Sequence, residues 1–166
     1  MACNTLKVMD IVYSSSVDGV GFRDVVFVAG CPHRCEGCHN PQTWEIENGK
    51  EISVGEVFSL LTKSKITDVT FSGGEPFCQA EALLELAIKI KKETHKTIWI
   101  YSGYTFEEIV KNDRKRSLLQ LCDVLVDGRF VKEQAVPNLR FRGSANQRLV
   151  DVSESLSQNQ LILWEE

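Results

Sequence analysis

The chain has 166 residues, 43% hydrophobic and 25% charged, with a formal net charge of −4. That is enough apolar material for one core, so residues 1–166 are read as a single domain. A mildly acidic chain gives no basic stripe for nucleic acid, and no run of about 18 apolar residues offers a membrane span.

The first residues, Met-Ala-Cys-Asn-Thr-Leu-Lys, lack the apolar stretch of a leader, so a cytoplasmic location is expected. In that compartment six cysteines suggest metal binding or catalysis rather than disulfides. Lys7–Val12 predicts a short strand and Ser14–Asp18 a polar turn. Asp24–Ala29 (DVVFVA) is a continuous apolar, β-branched run that suits a strand buried on both faces. Ser53 with Glu56 reads as a capping box before a helix reaching Lys63, on which Val57, Leu60 and Leu61 share a face. Asp68–Ser72 is a strand, Glu81–Lys92 a second helix and Thr97–Tyr101 the next strand. Thr105 with Glu108 caps a third helix, Leu118–Leu121 is helical, and Asp123–Val126 is a strand. Leu149–Val152 and Leu161–Trp164 read as late strands.

Strand, loop and helix repeat at least three times, which predicts an α/β fold with a mostly parallel sheet and helices packed outside it. Polar or glycine-rich residues follow four of the strands: the cysteine loop after Ala29, Gly73-Gly74-Glu75-Pro76, Ser102-Gly103-Tyr104 and Asp127-Gly128-Arg129. Parallel α/β sheets bind ligands at that edge. A full eight-unit barrel takes about 250 residues, so a partial, open barrel is expected, its open side suited to a bulky substrate such as another protein.

Gly30–Pro41 reads GCPHRCEGCHNP and places Cys31, Cys35 and Cys38 at the spacing C-x3-C-x2-C. Three thiolates can hold three corners of a cubane cluster and leave the fourth iron for a substrate. A closed zinc site is the alternative, with His33 or His39 as fourth ligand; each histidine is also at home packing behind the cysteines. In Ser72-Gly73-Gly74-Glu75-Pro76 the glycines let a ligand approach the main chain. Glu75 sets a carboxylate on the rim that could receive an ammonium group, or it simply favours the helix that follows.

Taken together, these motifs resemble the radical S-adenosylmethionine superfamily. Gly30–Trp44, Ser72–Pro76, Tyr101–Thr105, Val126–Phe130 and Arg142–Arg148 are similar to segments of the anaerobic ribonucleotide reductase activating proteins. The resemblance implies an open (β/α) barrel of the radical S-adenosylmethionine type, and a 4Fe–4S cluster on Cys31, Cys35 and Cys38 with one open iron. It further implies reductive cleavage of S-adenosylmethionine to a 5′-deoxyadenosyl radical, which makes a glycyl radical near the C-terminus of the large reductase subunit. Gly73, Gly74 and Glu75 match the segment that contacts the methionine amino group. Ser102, Asp127 and Arg129 sit where related enzymes contact the methionine carboxylate or ribose; read from residues alone, Asp127-Gly128-Arg129 is equally a strand-ending turn. Asn146 and Arg148 serve either a cofactor, a partner or their own loop. A flavodoxin-like electron donor, being acidic, could use the basic groups around Lys89–Lys96 and Arg114–Arg116, which otherwise read as solvated helix faces. Cys3, Cys78 and Cys122 read as packing or free thiols, and Trp44 as a cover for the cysteine loop or a plain anchor. Two competing functions stand beside this one: a radical enzyme acting on a small molecule, such as a deazapurine-forming synthase, and a zinc-binding interaction module.

Overall fold

The computed structural model describes residues 4–166; Cys3 lies outside the described residues. The sheet starts with β1 (Thr5–Ser15), which pairs antiparallel with β2 (Arg23–Val28) and, on its other side, with the short edge strand β3 (Lys50–Ser53). From β2 inward the pairing is parallel, to β4 (Asp68–Gly73), then β5 (Ile98–Tyr101), then β6 (Val124–Asp127). An antiparallel strand, β7 (Arg148–Asp151), forms the far edge, giving the order β3-β1-β2-β4-β5-β6-β7. Five of the seven strands therefore run in one direction, and the sheet is open at both edges.

Side chains along a strand alternate between faces, and here the two faces do different work. On one face Val26, Val28, Val69, Phe71, Ile98, Ile100 and Leu125 meet apolar residues from five helices in a single cluster. The helices are α1 (Val54–Leu61), α2 (Ala80–Glu93), α3 (Phe106–Val110), α4 (Asp113–Leu119) and α5 (Val152–Gln158). In α2, Leu83, Leu86, Ala87 and Ile90 recur at helical spacing and are fully buried. Burying each leucine or isoleucine there contributes roughly 1.5–3 kcal/mol.

On the other face Trp99, Val124 and Val126 pack with Phe141 in a smaller cluster. Near the strand starts this face is filled by Arg23, whose guanidinium is fully buried. It donates to Thr70 Oγ1 at 2.8 Å and to the carbonyls of Val20, Val69 and Thr97 at 3.1, 2.8 and 3.1 Å. It also lies 5.5 Å from the Trp99 ring centre. Burial lowers its pKa to about 10, which leaves it charged at neutral pH. The free face is thus solid at the strand starts and hollow at the strand ends.

The structure departs from the sequence expectations where burial is one-sided or slight. β1 runs through Ser15, into the segment expected to turn, because its pairing with β2 continues to Ser15 opposite Arg23. β3 was not anticipated: Lys-Glu-Ile-Ser has one half-buried residue and is held by main-chain bonds to β1. The helical stretch at Leu118–Leu121 is the end of α4 and the turn beyond it. The expected strand at Leu149–Val152 is β7, but the stretch Leu161–Trp164 makes only an isolated bridge, Leu163 to Val150. α5 was also unforeseen; it is short, begins at an Asp151 cap and buries little besides Val152 and Ser155. Ser53 caps α1 through Glu56 N, and Thr105 with Glu108 forms the full capping box of α3.

Candidate active site

The register aligns the strand ends: Val28 of β2 stands beside Gly73 of β4, and Tyr101 of β5 beside Val126 of β6. Everything that follows these residues therefore emerges at one level, above a cleft of about 610 Å³. Cys31, Cys35, Cys38, Ser102 and Arg129 line it, together with the main chain of Gly73-Gly74.

Main-chain bonds join the cysteine loop and the glycine turn into one unit. Gly30 N donates to Thr43 O at 2.7 Å and Cys31 N to Trp44 O at 3.0 Å, closing the loop. Gly74 N donates to Val28 O at 2.9 Å and Glu75 N to Gly30 O at 2.7 Å, which fixes the turn against the loop's first residue. Gly73 sits at φ +114°, and a Cβ there would stand 2.3 Å from Val28 N, so no other residue fits. Between the first two cysteines Arg34 turns the chain at φ 49°, and its guanidinium lies over Trp44 at 5.2 Å. Trp44 lines the cleft beside the cysteines.

Glu75 is fully buried and is not among the cleft-lining residues. Its Oε1 accepts from His33 Nε2 at 2.8 Å, Ser102 Oγ at 2.7 Å and Gly103 N at 2.8 Å; its Oε2 caps Phe77 N at 3.1 Å. The carboxylate thus ties the loops after β2, β4 and β5 together. Ser102 also accepts from Tyr104 N at 3.0 Å, and toward the cleft its hydroxyl oxygen can only accept, its proton being given to Glu75. Arg129 is exposed; its Nε donates to His33 Nδ1 at 3.1 Å and its two amino groups have no protein partner among the described residues.

Asp127 is likewise buried and absent from the cleft wall. It accepts from Phe106 N at 2.6 Å and from Arg148 Nε and Nη2 at 3.0 and 2.6 Å. Arg148 also binds Glu107 through Nη2 at 2.7 Å. Asn146 Nδ2 donates to Arg129 O at 2.8 Å, and Gln147 Nε2 to Gly128 O at 2.9 Å. Asn146 and Arg148 therefore brace the loop that carries Arg129. Of the site residues, sequence reasoning did not single out Gln147, read His33 as a zinc ligand or as packing behind the cysteines, and named Gly103 only within the rim segment Ser102-Gly103-Tyr104. The adjacency of His33 to two cysteines, and of Gly103 to Ser102, was the available signal.

Burial pushes the Cys31 thiol up, with the nearby Glu75 charge adding to it; a positive metal would be needed to hold it as thiolate. Cys78 and Cys122 are free; Cys122 is buried and burial raises its thiol, while Cys78 keeps an exposed face and its partial desolvation, with the nearby Glu75 charge, raises its thiol to about 11. Both thus fit the reading as plain thiols.

The donor set fits a cluster better than a single ion. One zinc ion needs four ligands at about 2–2.3 Å from one point. Among the described residues no group of three or more His, Cys, Asp and Glu is placed to hold a metal ion as it stands, so the choice rests on the chemistry of the donors. Thiols that bind separate irons of a cubane need only face a common hollow, and these three do. His33 spends both ring nitrogens on Glu75 and Arg129, and the His39 ring rests 5.2 Å from that of Phe130.

These features define a class, the single-cluster iron–sulfur proteins with an α/β sheet, and a family model described as "4Fe-4S single cluster domain" matches residues 17–150. Among curated proteins the chain is 40% identical over 139 residues to the anaerobic ribonucleoside-triphosphate reductase-activating protein of Vibrio cholerae, covering 79% of this chain and 88% of that one. The protein of that name from Enterobacteria phage T4 is also 40% identical, covering 80% and 86%; that from Escherichia coli K12 is 34% identical, covering 79% and 89%. The chain belongs to the family of anaerobic ribonucleoside-triphosphate reductase-activating proteins. No described helix is long and apolar enough to cross a membrane.

Proposed function

We propose that this chain, as one radical S-adenosylmethionine domain, activates an anaerobic ribonucleoside-triphosphate reductase by generating a glycyl radical near the C-terminus of its large subunit. The sheet then corresponds to the open (β/α) barrel of that superfamily. When bound, the cluster and S-adenosylmethionine would supply the hard chemistry, namely one-electron reductive cleavage of the sulfonium to methionine and a 5′-deoxyadenosyl radical able to take hydrogen from a glycine Cα.

The chain's own residues bind, orient and exclude water. Cys31, Cys35 and Cys38 would hold the cluster and leave one iron for the cofactor. The main chain of Gly73-Gly74, exposed in the cleft, receives the cofactor's amino group, and the two free amino groups of Arg129 form a fork for its carboxylate. Glu75 and Asp127 act through what they hold: Glu75 sets the glycine turn, Asp127 the loop of Arg129. Ser102 offers one acceptor to the ribose or the amino group. Among the described residues no α-helix packs in the cluster on the cleft face, which leaves room for an extended glycine segment of a protein. A flavodoxin-like donor in the cytoplasm would supply the electron.

One observation carries this reading: three thiols, a glycine main chain and the two unbonded amino groups of Arg129 open on one cleft at the ends of parallel strands, in a chain of this family. The test is to mix the anaerobically reduced protein, S-adenosylmethionine and the large reductase chain. An oxygen-sensitive doublet in the electron paramagnetic resonance spectrum is expected. Cofactor cleavage without that doublet would point instead to a small-molecule substrate.

A further inference from the structure

His33 lies between the first two cluster cysteines, yet its ring reaches across the site. The side chain is 4% exposed. It packs edge-on against Tyr104 at 4.5 Å between ring centres and lies so close over Gly103 that a Cβ there would stand 2.4 Å from Cδ2. Arg129 Nε can only donate, so Nδ1 must carry the lone pair and the ring proton sits on Nε2, where it is given to Glu75 Oε1. One neutral imidazole thus joins a buried carboxylate to an exposed arginine.

We infer that His33 is the positioning residue for the cofactor's carboxylate: by binding Nε of Arg129 it aims the two free amino groups of that guanidinium into the cleft beside the cluster. The physical reason is entropic. An exposed arginine has four rotatable bonds and loses them all on gripping a ligand. Held at Nε by a ring that is itself locked by Glu75, Tyr104 and Gly103, the fork is set before the cofactor arrives, and less is lost on binding. Because the ring belongs to the cysteine loop, the fork is also set in register with the cluster. This inference rests on the reading of Arg129 as the carboxylate fork.

Two substitutions separate the two bonds. In His33→Asn the amide oxygen can take the place of Nδ1 and keep Arg129 while losing Glu75. In His33→Gln the amide nitrogen can take the place of Nε2 and keep Glu75 while losing Arg129. Cluster-loaded wild type and both variants are titrated with S-adenosylmethionine and with its decarboxylated analogue. Binding is followed by calorimetry and by the change in the electron paramagnetic resonance signal of the reduced cluster. For S-adenosylmethionine, His33→Gln is expected to bind about tenfold more weakly than wild type and His33→Asn within about threefold, one charge-assisted hydrogen bond being at stake. For the decarboxylated analogue the three proteins are expected to bind alike. Equal weakening of both ligands in His33→Gln, or no weakening of either, would overturn the inference. A wild type that binds neither ligand would overturn the function reading itself, a result distinguishable from both.

Discussion

Arg148 grips Asp127 along two bonds, Nε to Oδ1 at 3.0 Å and Nη2 to Oδ2 at 2.6 Å, and this pair carries the loop that bears Arg129. The carboxylate is fully buried and the arginine one-third exposed. Arg148→Ala would leave a buried charge with only Phe106 N to satisfy it, at a cost of about 3 kcal/mol. Denaturant unfolding should show that loss, and the double variant Arg148→Met with Asp127→Leu should lose less than the two single changes summed.

Acid should reveal the same arginine. Glu107 is held below the ordinary carboxylate range, chiefly by its hydrogen bond from Arg148. A carboxylate depressed in the folded state contributes stability above its unfolded pKa, and that contribution is lost as pH falls through the folded value. Wild-type stability should therefore fall below the usual carboxylate range, and Arg148→Ala should flatten that part of the curve. Melting temperatures measured at stepped pH read this directly; an unchanged acid limb in the variant would contradict the assignment.

Gly73→Ala is expected to cost at least about 3 kcal/mol, because the added methyl meets the main chain of β2 and not a side chain that can swing away. Thermal unfolding of the variant, before any cofactor is added, checks this.

The parts legible in the sequence were those with continuous or periodic burial. β2, β5 and β6 are apolar runs and β4 carries Val69 and Phe71 between turn signals, so all four announce themselves, as does the leucine stripe of α2. β3 and α5 bury too few side chains to leave a pattern. In the site, the cysteine spacing and the glycine pair could be read directly, because each is a local motif. The side-chain network could not: His33 meets partners 42 and 96 positions away, and no spacing rule reaches so far. For the same reason Glu75 read as a rim carboxylate, while its hydrogen bonds all turn inward.

Arg23 shows the same limit from another side. Arg23 lay just outside the run Asp24–Ala29 read as a strand, yet it is fully buried beneath Trp99. Arg23→Met should destabilise the fold by about 3 kcal/mol, since Thr70, Val69 and Thr97 would lose their donor. Urea unfolding midpoints provide the check, and cluster content should be unaffected in the folded fraction.

Glu75→Gln preserves shape but removes the charge on which three donors converge. Charge-assisted bonds of this kind are worth about 1.5–3 kcal/mol each. Because the glycine turn and Arg129 both depend on this carboxylate, cofactor affinity should drop by more than tenfold while iron and sulfide content stay near wild type. Calorimetric titration beside metal analysis of one preparation decides it.

The most direct test of the whole account is elemental: iron, acid-labile sulfide and zinc per chain in anaerobically prepared wild type and Cys35→Ala. Iron and sulfide near the stoichiometry of one 4Fe–4S cluster are expected in the wild type, lost in the variant, with little zinc in either. One zinc per chain and no sulfide in the wild type would contradict it.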